Sequence, residues 1–178
     1  MFLISQKDII KDELSNEKLY RYKKLYMDIA VRISDMSYAQ RLKVGAILVK
    51  NDNIISFGWN GMPRGFDNVC EIDDVTRPEV IHAEENMVMK LARDGGNASG
   101  ATAFITHQPC MNCSRMLHGC GIKHVVFLDP YRDISGVEFL KKCNVTVEQL
   151  VYNNIVTSDE ITNNLFEIEP NYFNMIGG

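Results

Sequence analysis

Two short stretches, His82-Ala83-Glu84 and Pro109-Cys110-Met111-Asn112-Cys113, constrain this chain more than any other feature. If they act together, the chain between them must fold back so that one imidazole and two thiols meet at a point. A catalytic zinc takes three protein ligands and keeps a fourth position open for water, and His82, Cys110 and Cys113 match that count. The two cysteines are one helical turn apart, so both sulfurs can face the same point. Glu84 lies beside the imidazole but off its direction, where a carboxylate can move protons without occupying the metal.

Two plainer uses of the same residues are weaker. A thioredoxin-like Cys-x-x-Cys redox pair leaves His82 and Glu84 unexplained. A closed structural zinc would draw a fourth ligand from His118 or Cys120. Both stretches sit where helices should begin. Pro78 suits a first helical position, and Val80, Ile81, Met87, Val88, Leu91 and Ala92 predict an apolar helix reaching Asp94 and stopping at Gly95-Gly96. A second helix is expected from Met111 to His118. Helix N-termini favour negative charge, which suits thiolates.

At 178 residues the chain has room for one domain with a real core. The net charge of −4 argues against general nucleic-acid binding, whose footprint is basic. The five cysteines form no disulfide framework, which points to a reducing, cytoplasmic setting. The apolar start Met1-Phe2-Leu3-Ile4 is too short for a signal peptide, and no stretch has the length of a membrane span.

Residues 1–16 read as an N-terminal arm. From Glu17 to Ser34, the stripe Leu19, Tyr22, Leu25, Tyr26, Ile29, Ala30 and Ile33 predicts a helix. Val44–Val49 and Ile54–Trp59 read as a hairpin around Asn51-Asp52-Asn53. Trp59 to Phe66 is a shaped Gly/Pro loop, and Asp67 to Arg77 continues as loop. Further strands are expected at Ala101–Thr106, His124–Leu128 and Val145–Leu150, with a short helix at Gly136–Lys142. Strands alternating with helices late in the chain imply parallel pairing there, and the opening hairpin is antiparallel, so a mixed five-stranded sheet covered by helices is expected. The domain thus spans 17–150. Residues 151–178 form an extension in which Ile155, Ile161, Leu165 and Phe166 could pack as a helix.

The combined residues carry a resemblance. Lys43-Val44-Gly45-Ala46, Gly58-Trp59-Asn60-Gly61-Met62-Pro63-Arg64-Gly65, Ile81 to Asn86, Pro109 to Cys113 and Asp129-Pro130-Tyr131-Arg132 resemble the deoxycytidylate (dCMP) deaminases of the cytidine deaminase superfamily, over about Tyr20 to Leu150. The resemblance implies an α/β/α three-layer sandwich, a catalytic zinc held by His82, Cys110 and Cys113, and Glu84 as proton carrier. It implies hydrolysis of dCMP to dUMP and ammonia, feeding thymidylate synthesis, in a homo-oligomer, commonly a hexamer. It also implies activation by dCTP and inhibition by dTTP, with magnesium (Mg2+) accompanying the triphosphate beside the Zn2+ centre. The Asn60–Gly65 loop and the acids from Glu71 to Asp74 are candidates for that effector site.

By the same resemblance, Asn60 contacts the deoxyribose, the backbone around Ala83 holds the pyrimidine edge, and Tyr131 lies against base or sugar. Arg132, with Arg41 or Lys43, meets the 5′-phosphate, since cationic donors suit phosphate oxygens. His107 is a candidate for the pocket wall. Some members hold an additional zinc through a cysteine before the Lys-Val-Gly-Ala segment. Here Tyr38, Ala39 and Gln40 fill that stretch, although Cys70 stands in the usual loop. Three rivals remain at this point. One is a nucleoside deaminase that does not need the phosphate donors. Another is a nucleic-acid deaminase, which needs a basic channel. The last is a zinc-binding module without catalysis.

Overall fold

The computed structural model describes residues 6–152 and 154–157, with side chains from 16 to 152. Its frame is one sheet. Strands β1 (Gly45–Lys50) and β2 (Asn53–Trp59) form the expected hairpin. Later in the chain come β5 (Thr102–His107), β6 (His124–Asp129) and β7 (Thr146–Val151). β1 pairs antiparallel with β2 and β5, and β5, β6 and β7 run parallel. The mixed five-stranded sheet is therefore present. β8 (Asn154–Thr157) extends it, giving the order β2-β1-β5-β6-β7-β8. The strand takes in Ile155, where the sequence suggested a helix. Ile161, Leu165 and Phe166 lie outside the described residues.

Strand residues alternate between two buried faces, as a sheet covered on both sides requires. Ile47, Val49, Phe104 and Val126 meet helix α1 (Gln6–Ser34) through Tyr26, Met27 and Ala30. Ala46, Leu48, Ala103, Ile105, Val125, Phe127 and Val147 point the other way. They meet α2 (Ala83–Arg93), α3 (Met111–Gly119) and α4 (Ser135–Lys142) through Met87, Leu91, Leu117 and Leu140. The result is the three-layer α/β/α sandwich.

The expectation for α1 needs two corrections. The helix begins at Gln6, running through the expected arm without a break at Glu17. Its buried face is also turned from the expected stripe. Lys23, Tyr26, Met27, Ala30 and Ser34 are buried, whereas Leu19, Tyr22 and Leu25 are exposed, at 51%, 43% and 51%. The cause is close approach to the sheet. A Cβ on Gly45 would stand 2.1 Å from the Ala30 oxygen, so the helix must present its smallest residues to β1.

α2 starts later than Pro78 because Ile81 is held in a bridge. Ile81 and Gly61 exchange N–H···O bonds of 2.9 and 3.1 Å, which keeps residues before His82 extended. The acidic stretch read as loop contains a small hairpin, β3 (Glu71–Ile72) and β4 (Val75–Thr76). Asp73 and Asp74 form its turn at φ 50° and 58°, the left-handed geometry that two-residue hairpin loops demand. No described helix is long and apolar enough to cross a membrane.

Candidate metal centre and substrate cavity

Both metal-binding stretches lie at helix starts. His82 is the N-cap of α2 and Cys110 the N-cap of α3, each with extended backbone (φ −69°, ψ 157° and φ −70°, ψ 169°). Glu85 reaches back to accept the His82 N–H at 3.0 Å and fixes the chain's entry into α2. Cys113 lies within the first turn of α3. The positive ends of two helix dipoles thus converge on the thiol pair. α2 is seated on the sheet by a second close approach, in which a Cβ on Gly58 would sit 2.3 Å from the Ala83 oxygen and 2.5 Å from the Met87 nitrogen. α2 therefore lies directly on β2.

His82 Nδ1 is 3.8 Å from Cys110 Sγ and 3.5 Å from Cys113 Sγ, and all three donor atoms lie within 4.8 Å of one another. A tetrahedral zinc with Zn–N near 2.0 Å and Zn–S near 2.3 Å needs N···S separations of about 3.5 Å. The residues present therefore fit the ion. Among the described residues this is the one such cluster, and neither His118 nor Cys120 belongs to it. His118 packs edge-on against Phe139 at 5.9 Å, and Cys120 packs against the core, so the donor atoms that converge among the described residues number three.

The charges are tightly coupled. The hydrogen bond from Cys113, then that of His82, pulls the Cys110 thiol down to about 3. Cys113 is pushed up by that same bond and then by burial. The bond to Cys110 lifts His82 to about 9 against the opposing effect of burial. A dication bound at this point would displace those protons and neutralise the thiolates. Glu84 is buried (4% exposed), and desolvation raises its carboxyl to about 7, opposed by its own helix N–H, by His82 and by the Cys113 thiol.

A cavity of about 470 Å³ opens onto this cluster. Its walls include His82, Ala83, Glu84 and Cys110, together with Arg41, Asn60 and Tyr131. Lys43 and Arg132 are not among its lining residues. Lys43 is exposed, and the Arg132 guanidinium stands 5.9 Å from the Tyr131 ring. Arg41 is aimed by the small hairpin: its Nη1 donates to Thr76 Oγ1 at 3.2 Å, and the Gln40 and Arg41 N–H groups donate to Glu71 at 3.2 and 3.5 Å.

Asn60 braces the site as well as facing it. Its Oδ1 accepts the Val44 N–H and its Nδ2 donates to the Leu42 carbonyl, both at 2.8 Å, so the amide ties the Arg41 loop to the end of β2. One lone pair and one amide hydrogen remain for a ligand. His107 does line the cavity. Burial pushes its imidazole down, opposed by Asp129 at 3.5 Å. Thr76, Glu71 and Gln108 are lining residues that sequence reasoning missed as such. Only Gln108 left a signal, by its place just before Pro109-Cys110.

Comparison with known proteins agrees with this geometry. A family model for the cytidine and deoxycytidylate deaminase zinc-binding region matches residues 21–129. A crystal structure of dCMP deaminase from the cyanophage S-TIM5, in complex with dCMP and dUMP, superposes with a TM-score of 0.71 at 42% identity. The match covers 73% of this chain and 97% of that one. ComE operon protein 2 of Bacillus subtilis is 31% identical over 125 residues, 67% of this chain and 66% of its own length. Deoxycytidylate deaminase of Enterobacteria phage T4 is 29% identical over 147 residues, 59% of this chain and 76% of its own length.

Proposed function

Because the chain belongs to the cytidine and deoxycytidylate deaminase family, we propose that it hydrolyses dCMP to dUMP and ammonia. The observation that carries this reading is the meeting of His82, Cys110 and Cys113 at zinc-ligand spacing beside the buried carboxylate of Glu84, in a cavity of nucleotide size. The substrate class draws support from the 42% identity to the cyanophage enzyme, which covers 97% of that chain.

His82, Cys110 and Cys113 would hold the zinc, which would supply an activated water for attack on C4 of cytosine. Glu84 accepts a proton from that water, delivers it to N3 of the ring and then serves the departing amino group. C4–N breaks, C4=O forms, and ammonia carries the amino nitrogen away. Ala83, at the cavity wall, holds the pyrimidine edge through its backbone. Asn60 offers its remaining amide valences to the deoxyribose, and Tyr131 covers the sugar and base from the opposite loop. Arg41, the permanently charged cation of the cavity wall, takes the 5′-phosphate. Arg132 follows Tyr131 outside the cavity lining, and on the family resemblance it remains a second candidate for the phosphate.

The reading extends, on the family resemblance, to a homo-hexamer in the cytoplasm that feeds thymidylate synthesis. The resemblance also extends it to activation by dCTP with magnesium and inhibition by dTTP. The five described cysteines are all free, which favours the reducing compartment. The decisive assay compares ultraviolet-detected deamination of dCMP and deoxycytidine on protein of known zinc content, with and without each triphosphate. Strong preference for dCMP is expected. Equal use of both substrates would make this a nucleoside enzyme, and no turnover at full zinc occupancy would leave a metal-binding module. Rates indifferent to dCTP and dTTP would remove the regulatory part alone.

A further inference from the structure

Gln108 stands one residue before the Pro109-Cys110 turn and is buried, at 7% exposure. Its hydrogen bonds run to the last residue of β6 and to the loop that follows. Its backbone N–H donates to the Asp129 carbonyl at 2.8 Å. Its side-chain Nε2 donates to the Asp133 carbonyl at 2.7 Å, and its Oε1 accepts the Tyr131 N–H at 3.3 Å. One side chain therefore satisfies a donor at the loop's centre and an acceptor at its far end. Its ends have other anchors, since Asp129 pairs with His107 across β6 and β5 and the Asp133 carboxylate accepts the Ser135 N–H at 2.9 Å, but residues 129–133 belong to neither hydrophobic cluster, and Tyr131 is 45% exposed.

We infer that Gln108 is a positioning residue for nucleotide binding, docking the Tyr131 loop onto the segment that carries the Cys110 ligand. The inference rests on the dCMP reading of the cavity. Through Gln108 the wall that covers the nucleotide and the strand end that presents Cys110 share one frame. Because the loop buries no core, loosening it shifts Tyr131 without unfolding the sandwich. The effect falls on substrate affinity rather than on the metal or the chemical step.

Gln108→Met tests this, since Met keeps the length and apolar stem of the side chain and removes only its two hydrogen bonds. With each neutral bond contributing about 1 kcal/mol, the KM for dCMP should rise about ten-fold or more while kcat stays within about three-fold. Zinc content should not change. Hydrogen exchange should accelerate at the Tyr131 amide and stay unchanged at core amides such as Val126. Faster exchange with an unaltered KM would reduce Gln108 to a structural contact and overturn the proposal, as would exchange at Tyr131 that does not respond. If wild-type zinc protein fails to turn over dCMP, the substrate reading falls by itself, and the docking role is then decided by the exchange result. Should Gln108→Met fail to fold, the wild type still decides the docking: its Tyr131 amide must be better protected than that of Arg132, and equal protection overturns the proposal.

Discussion

Glu84 is the residue whose role is most sharply exposed to test. Glu84→Gln preserves shape and leaves the ligand trio intact, so zinc content should stay at the wild-type level while kcat falls by about 10³. A near-normal rate would sink its assignment as proton carrier. The cations were harder to read. Arg41 and Lys43 are equivalent in the sequence, and only the hairpin bond from Arg41 to Thr76 directs one of them at the cavity. Arg41→Ala should raise the KM for dCMP about ten-fold and leave deoxycytidine unaffected, whereas Lys43→Ala should change the KM for neither substrate; this scale follows from losing one charge-assisted bond to phosphate. Asn60 shows a different gap. Its motif marks it as a ligand contact, but its two 2.8 Å bonds to Leu42 and Val44 are a matter of spatial neighbourhood, invisible to local pattern.

At the scale of elements, periodicity located the five main strands and the existence of the four helices, though not the early start of α1 at Gln6, because alternating and helical burial leave a direct trace in residue type. The errors fell where another element intervened. α2 starts at Ala83 because Gly61 pairs with Ile81, and α1 turns its small residues inward because β1 comes so close at Gly45. The β3–β4 hairpin was missed because Asp73-Asp74 lacks the glycine that usually announces such a turn. The contact at Gly58 fixes α2 and with it His82 and Glu84. Gly58→Ala must push α2 off β2, so activity should fall at least as steeply as thermal stability. An active Gly58→Ala enzyme of normal melting temperature would show that α2 is not seated this way.

For the whole molecule, Glu148 joins three elements: it pairs with Lys23 of α1 and stands 2.9 Å from His124 Nε2 of β6. Burial would raise its carboxyl, but His124 and Lys23 outweigh that and bring it to about 2. A carboxyl depressed on folding stabilises above its unfolded value, near 4.5, and loses that contribution as pH falls through the folded value. Stability should therefore decline between about pH 4.5 and 2, by an amount on the order of 2 kcal/mol from this group. Glu148→Gln should flatten that part of a urea-denaturation profile and lower stability at pH 7, because it leaves Lys23 buried without its partner. An unchanged acid slope would remove Glu148 from the account. What the sequence alone determined is the chemistry and the layer pattern: donor types at fixed spacing limit the metal, and alternation of apolar residues limits the sheet. Tertiary structure alone decided which cation faces the cavity, where α2 begins and which side chain holds the Tyr131 loop, because each depends on atoms brought together from distant segments, and local sequence carries no record of those distances.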